Sequence, residues 1–297
     1  MRIGWLTAQG APSLEPYVRA FREALAELGN VEGRNLQIDF RYGDDVVGRV
    51  PSMAAELERI PVQLIVAQGA AAFEASRLGL KVPVVYVYSG DPVAAGLAES
   101  LARPRGNMTG LTFMAAEFNG KRLELLREIL PRLRRVAILA NPEHPGEPRE
   151  HGNSDEIGRR LGIATPYFPA RTLDELSAVL GRIGADGPDA ISVFSDGFAV
   201  QNRQTIIDFA MRRRIPVISG WPVFAHSGAL CSYGPKLSDS YRRLAYYVDR
   251  VAKGANPNDL PIEQPTTFEM VLNLKTAAAL DLTIPPAVLL RADTLIR

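Results

Sequence analysis

Few side chains in this sequence are able to do covalent chemistry. It has three histidines, His144, His151 and His226, and one cysteine, Cys231. His144 and His151 stand in the Pro/Gly/Glu-rich stretch 141–153, which reads as a solvated loop. Cys231 lies in the apolar run Gly228-Ala229-Leu230-Cys231-Ser232 with no evident histidine partner, so it reads as a buried structural thiol. The spacings of a helical zinc protease, a dithiol redox pair, a hydrolase nucleophile elbow and a phosphate-binding loop are all absent. No catalytic residue, metal site or cofactor is therefore expected. What remains is non-covalent recognition, and the residue types for it recur at the ends of apolar runs.

Those run ends hold small, polar and aromatic residues. Ala8 and Gln9 follow the first run; Gln68, Gly69 and Ala70 follow the third; Tyr88, Ser89 and Asp91 follow the fourth. Further along come Asn141, then Ser195 and Asp196, then Gly220 and Trp221, with Phe113 at a break in the pattern. Several of these segments open a helix. A helix N-terminus presents unpaired N–H groups that favour an anion such as a carboxylate. Asp91 precedes Pro92 and reads first as a helix cap. Asp196 either caps the next helix or holds an ammonium group. Phe194 reads equally as core or as pocket wall, whereas Trp221 sits on a loop and suits a pocket.

The elements that must position these residues alternate. Ile3–Thr7, Leu36–Phe40, Gln63–Ala67 and Val82–Val87 read as strands. Between and after them, helical spacing runs over Leu14–Leu28, Val47–Ile60, Ala70–Leu78 and 92–101. The pattern restarts after residues 108–117: helix Lys121–Leu130, strand Arg135–Leu139, helix Leu173–Ile183, strand Ala190–Phe194, helix Ala199–Arg213 and strand Ile215–Ile218. Beyond residue 228 the order is mixed. It comprises strand Leu230–Tyr233, a long amphipathic helix Ser238–Lys253 that suits the first half, strand Thr266–Leu272, and a helical tail from Pro285 to Ile296. Strands alternating with helices predict an α/β protein of two doubly wound parallel-sheet lobes. In such sheets ligands bind beyond the carboxyl ends of the strands, where the candidate residues lie.

Composition narrows the function classes. The 297 residues carry a net charge of +1, which gives no general attraction to nucleic acid or to an anionic membrane surface. No apolar stretch reaches the roughly 18 residues of a membrane span. Met1-Arg2 leads directly into the first strand, so the protein is expected either to stay in the cytoplasm or to follow a removed leader into the periplasm or onto a lipid anchor.

Longer motifs support a closer comparison. They include 21–25 with 28–35, Gly90-Asp91-Pro92-Val93, Ser100-Leu101-Ala102-Arg103-Pro104 and Gly106-Asn107-Met108-Thr109-Gly110-Leu111. Others are 121–126, Ser232-Tyr233-Gly234-Pro235, 260–266 and Asn273-Leu274-Lys275-Thr276-Ala277. With these, nearly the whole chain resembles the substrate-binding proteins of ABC transporters, in the tryptophan- and tyrosine-type branch. The resemblance implies a type I periplasmic-binding fold of two lobes, a cleft and a three-segment hinge, with crossings near residues 113, 233 and 257. Residues 1–113 with 234–257 would form the N-terminal lobe, and 114–233 with 258–297 the C-terminal lobe. It also implies a monomer with a membrane permease and an ATPase as partners, capturing its ligand by hinge closure. The sequence departs from the family after the third strand, where hydroxyl residues often meet a ligand carboxylate. Here the segment is Gln68-Gly69-Ala70-Ala71-Ala72-Phe73. The expected ligand is an amino acid, or an aromatic or branched carboxylate. Two other readings fit part of the pattern. A cytoplasmic sensor on this fold would share the cleft, but a repressor would need an N-terminal DNA-binding motif, for which the strand at residue 3 leaves no room. A two-cysteine racemase conflicts with the single Cys231.

Overall fold

The structure is a computed structural model that describes residues 1–297 except Asp45, Met114, Ala115, Pro145 and Ser195, and except the side chains of Ser13, Ala116 and Glu117. The chain forms two compact units, Met1–Met114 with Lys236–Thr267, and Ala115–Pro235 with Phe268–Arg297. It therefore passes three times from one unit to the other.

In the first unit, β1 (Arg2–Thr7), β2 (Gln37–Tyr42), β3 (Leu64–Gln68) and β4 (Val84–Tyr88) alternate with α1 (Ala11–Glu27), α2 (Val50–Glu58) and α3 (Ala70–Leu78). A short hairpin of β5 (Ala98–Ser100) and β6 (Arg103–Pro104) precedes β7 (Met108–Thr112). Among the described residues the sheet has the order β2-β1-β3-β4-β7, with every pairing parallel. Strands β3, β4 and β7 are buried at every position, as a parallel sheet covered on both faces requires. On one face Leu6, Ile65, Ala67 and Tyr86 pack against Met53 and Leu57 of α2 and Ala71 and Ala75 of α3. On the other, Trp5 meets Phe21 of α1 edge-on at 5.1 Å.

The second unit opens with α4 (Ala116–Ile129), β8 (Val136–Ala140), α5 (Glu147–Leu161), β9 (Tyr167–Pro169), α6 (Leu173–Asp186) and β10 (Ala190–Val193). It continues through α7 (Gly197–Gln201), α8 (Arg203–Arg212), β11 (Val217–Ser219), α9 (Pro222–His226) and β12 (Cys231–Pro235). The chain then returns α10 (Leu237–Ala252) to the first unit, and closes the second with β13 (Phe268–Asn273), α11 (Leu274–Ala279), α12 (Pro286–Leu289) and β14 (Thr294–Ile296). Among the described residues this sheet has the order β14-β13-β12-β11-β10-β8-β9, with β13 antiparallel to β12. Helix α4 covers one face through Leu123, Leu126 and Ile129, and α6 and α8 cover the other.

Four expectations are corrected. Residues 92–101 are turns and a hairpin rather than a helix, because Asp91 and Pro92 carbonyls accept from Ala95, Leu97 and Ala98 in a closed local loop. The stretch 141–153 is not a solvated loop: α5 starts at Glu147 and its first turn is buried at Glu147 and Glu150. The third crossing falls after Thr267 rather than near 257. Residues 260–263 stay with the first unit, since the Leu260 carbonyl accepts from Thr109 Oγ1 at 2.6 Å and Glu263 bridges to Leu111. The tail is a single helical turn followed by β14, which pairs with β13 through Val271, Leu272 and Asn273. Among the described residues no helix is long and apolar enough to cross a membrane.

Candidate functional site

At the carboxyl edge of the first sheet, β1 and β3 end side by side, with Thr7 opposite Gln68. Two side-chain amides meet there: Gln68 Nε2 donates to Gln9 Oε1 at 2.8 Å, both residues buried. The Gln9 N–H donates in turn to Thr7 Oγ1 at 3.1 Å. Gln68 Oε1 has no partner among the described residues and is shielded from solvent. Gly69 follows with φ +60°, a conformation that disfavours any side chain. It hands the chain to α3, whose first residue, Ala70, is half-buried and whose N-terminus has no side-chain cap.

Four aromatic rings pack together next to Gln68, and of these only Phe113 is a candidate from the sequence. Tyr241 arrives on the second turn of α10 and stacks between Trp5, at 6.2 Å, and Tyr17, at 5.3 Å. Phe113 tilts against the same ring at 6.4 Å. Burial pushes the Tyr241 phenol well above its usual range, with Tyr17 adding to the rise and the neighbouring Gln68 amide opposing it. The amphipathic helix 238–253 was legible, but nothing local says that its tyrosine joins residues more than 200 positions earlier.

The other first-unit candidates have structural duties. Ala8 is buried in the core cluster, and Tyr88 is 1% exposed within that cluster. A Cβ on Gly90 would stand 2.9 Å from the Tyr88 ring and would push that ring aside. Ser89 is buried beside it. Asp91 Oδ1 accepts from the Val93 N–H at 2.9 Å, which is capping of a turn, not of a helix. Next to Phe113 a cavity of about 250 Å³ is lined by Thr112, Asp239, Arg243, Glu263 and Gln264.

In the second unit the predicted residues again sit at the carboxyl edge. Asn141 Oδ1 accepts from the Glu143 N–H at 3.0 Å, making a turn after β8. Asp196 is buried and its Oδ1 caps α7 by accepting from the Ala199 N–H at 2.7 Å. Ser195 lies outside the described residues. Gly220 and Trp221 follow β11; Trp221 is half-buried and packs against the core, and it stands at the start of α9. Gly234 of β12 lies so close to the main chain of Gly220 that a Cβ would be 2.2 Å from its carbonyl oxygen. Cys231 is fully buried, and burial pushes its thiol up to about 12.

Within reach of Asp196 lies a buried charged cluster that is not legible in the sequence. Arg122 of α4 is 1% exposed; its Nε donates to the Tyr233 carbonyl at 2.9 Å and its guanidinium donates to Asn119 Oδ1. Asn119 Nδ2 donates to the main-chain carbonyl of Glu150 at 3.2 Å. The Glu150 carboxyl is itself 1% exposed, and burial pushes it up to about 7 against the attraction of Arg122. Glu147 and Asp196 add repulsion in the same direction. His144 lies alongside with Nδ1 3.9 Å from Glu150 Oε1, and burial holds it down to about 4, so it stays neutral near pH 7. Its Nδ1 accepts from the Gly146 N–H at 3.3 Å, which leaves Nε2 to carry the proton. The Pro/Gly/Glu-rich composition of 141–153 is visible in the sequence, but burial of that stretch is not. Among the described residues no group of three metal-ligating side chains converges.

Two doubly wound sheets, each with its predicted residues at the carboxyl edge, and three chain crossings define a type I periplasmic-binding architecture. Comparison with known proteins makes the assignment specific. The family described as ABC transporter substrate binding protein matches residues 6–296, and the chain belongs to that family. A curated relative, the tyrosine-binding protein of Clostridioides difficile strain R20291, is 25% identical over 281 residues, covering 91% of this chain and 78% of its own. A crystal structure of an ABC domain in complex with L-Trp, from Streptococcus pneumonia, matches with a TM-score of 0.92 at 24% identity over 99% of both chains. A conserved domain protein from Vibrio cholerae matches at 0.93 and 22% identity over 99% of both chains. A ligand-free, open substrate-binding protein with adhesive properties from Clostridium difficile matches at 0.72 and 21% identity, also over 99% of both chains. At these identities the solved structures establish the fold.

Proposed function

We propose that this protein is the solute-binding component of an extracytoplasmic ABC uptake system, delivering a small organic ligand to a membrane permease driven by an ATPase. The ligand class we favour is an amino acid, or an aromatic or branched carboxylate. The observation that carries this reading is the buried Gln9–Gln68 amide pair at the strand ends where this fold binds ligands, next to Tyr241 of the Tyr17–Tyr241–Trp5 stack. Few polar groups set among aromatic walls describe a small-molecule site. A tyrosine-binding relative and a neighbour crystallised with L-Trp point the same way. Recognition needs no covalent chemistry. The ligand binds one conformation better than another and shifts the population toward it by hinge closure.

A thermal-shift screen of amino acids and aromatic acids tests the ligand class. A ligand at 100 times its Kd raises stability by about 2.7 kcal/mol, enough to move the melting temperature visibly. No stabilisation by any member would refute the class. Identification by mass spectrometry of a molecule retained through purification provides an independent check. Trp221→Ala is expected to weaken binding, and unchanged affinity would remove Trp221 from the site.

A further inference from the structure

Charge in the second unit is segregated along the strand direction. The first turns of α5 and α6, at the carboxyl edge, carry Glu147, Glu150, Asp174 and Glu175. The amino edge is rich in arginine, and four strand starts lie side by side there. Ala164, ahead of β9, bridges to Arg135, ahead of β8. The Arg135 carbonyl accepts from the Asp189 N–H ahead of β10, and the Pro216 carbonyl ahead of β11 accepts from Ile191. Three strand spacings of about 4.8 Å make this edge roughly 15 Å wide. The acids that meet it are engaged. Asp186 pairs with Arg135 and Asp281 with Arg214, while Asp189 Oδ2 accepts the N–H groups of Arg134 and Arg135 at 2.8 and 2.9 Å. Asp208, one turn before Arg212, accepts from Gln204 at 2.7 Å. Glu156 stands four residues before Arg160 and makes no ion pair with it. The guanidiniums of Arg132, Arg134, Arg160, Arg212 and Arg213 are exposed and make no hydrogen bond or ion pair among the described residues. Cations suit helix C-termini, but Arg132 and Arg134 lie beyond α4 in a connection, where the dipole gives no reason for them. A net charge of +1 for the whole chain conceals this local surplus.

We propose that this arginine edge of the second unit rests on the anionic headgroup surface of a lipid bilayer, held by arginine–phosphate contacts without insertion. Guanidinium groups pair with phosphate oxygens through two parallel hydrogen bonds, and basic residues near an anionic leaflet are drawn to it. Single exposed charges spread over the edge suit mobile headgroups, which gather under them. Segments 129–135, 158–164 and 210–216 contain no aromatic residue, so the bases of a single-stranded nucleic acid find nothing to stack on. The inference goes beyond the uptake reading and does not depend on the ligand class. A solute carrier that serves a membrane permease gains from being concentrated at the bilayer.

Vesicle flotation with the full chain tests this. At low ionic strength the protein is expected to float with vesicles of phosphatidylcholine mixed with phosphatidylglycerol, and not with phosphatidylcholine alone. Salt at about 0.5 M should release it, because screening then acts within a few ångströms. Each arginine near an anionic surface is worth about fivefold in partitioning. The double variant Arg212→Gln/Arg213→Gln should therefore partition about 25-fold less, and Arg132→Gln/Arg134→Gln should do the same. Arg34→Gln, an exposed arginine of the first unit, should stay within about twofold of the unaltered protein. All five side chains are exposed, so an unchanged melting temperature verifies that the variants are folded. Equal binding to the two kinds of vesicle, or none to either at low ionic strength, would overturn the proposal on the unaltered protein alone. An undiminished partition in either folded double variant would overturn it too. Binding to single-stranded DNA or to polyglutamate as tight as to the mixed vesicles would overturn the lipid assignment, making the edge a general polyanion site.

Discussion

Replacing Glu150 by glutamine should change how stability depends on pH, by an amount the structure allows to be worked out. Burial raises the Glu150 carboxyl from 4.5 to about 7 in the folded protein. A raised acid binds its proton more tightly when folded than when unfolded. Its contribution is therefore full below the unfolded value and is lost as pH rises from about 4.5 to about 7. At 1.36 kcal/mol for each unit, the loss amounts to about 3 kcal/mol. His144 works in the opposite sense. Its folded value is lowered from 6.5 to about 4 by burial, so its contribution is present above 6.5 and lost as pH falls toward 4. The two slopes nearly cancel between pH 4.5 and 6.5, and the unaltered protein should show a flat profile there, as far as these groups decide it. Glu150→Gln removes one of them. Whatever absolute cost follows from leaving Arg122 without its charge partner, that cost is constant over this range. The variant should thus become more stable on going from pH 5 to pH 8, relative to the unaltered protein, by about 2.5 kcal/mol, since part of the full loss has already occurred at pH 5. Urea denaturation of both proteins at pH 5, 6, 7 and 8 measures this double difference. Parallel profiles would refute the reasoning, and would mean that Glu150 titrates as an ordinary solvated carboxylate.

Three further outcomes are expected. Cys231 should not react with a thiol reagent in the native protein but should react fully in denaturant, since its thiol is buried and its pKa is pushed up to about 12; fast native labelling would contradict the core placement. Gly234→Ala should destabilise by about 1–3 kcal/mol, because the new methyl would lie 2.2 Å from the Gly220 carbonyl oxygen and β11 and β12 would have to part; calorimetric melting checks this. Trp5→Ala should cost about 3–5 kcal/mol and also weaken ligand binding, because the ring is fully buried and supports the Tyr241 stack; chemical denaturation and calorimetric titration read the two effects separately.

The local pattern of this sequence determines much of the architecture. Helix 70–78 and the buried strands around it are where periodicity places them, because a run such as Leu64-Ile65-Val66-Ala67 between turn residues has few alternatives to a covered parallel strand. The strand ends follow from the strands, which is why Gln9, Gln68, Asn141 and Asp196 could be named as edge residues from spacing alone. Burial of polar segments could not be read that way. The stretch 141–153 carries the composition of a loop, yet α4 packs over it and takes Glu147 and Glu150 out of water. That packing, not the residue types, makes Glu150 an unusual acid. The helix expected at 92–101 failed for a similar reason: its propensity was outweighed by the closed turn after Asp91 and the pairing of Ala98 with Pro104. Tyr241 is the clearest case. Its helix is a local matter, but its place between Trp5 and Tyr17 depends on the chain returning to the first sheet after crossing the second unit, and only tertiary contacts across more than 200 residues bring those three rings together.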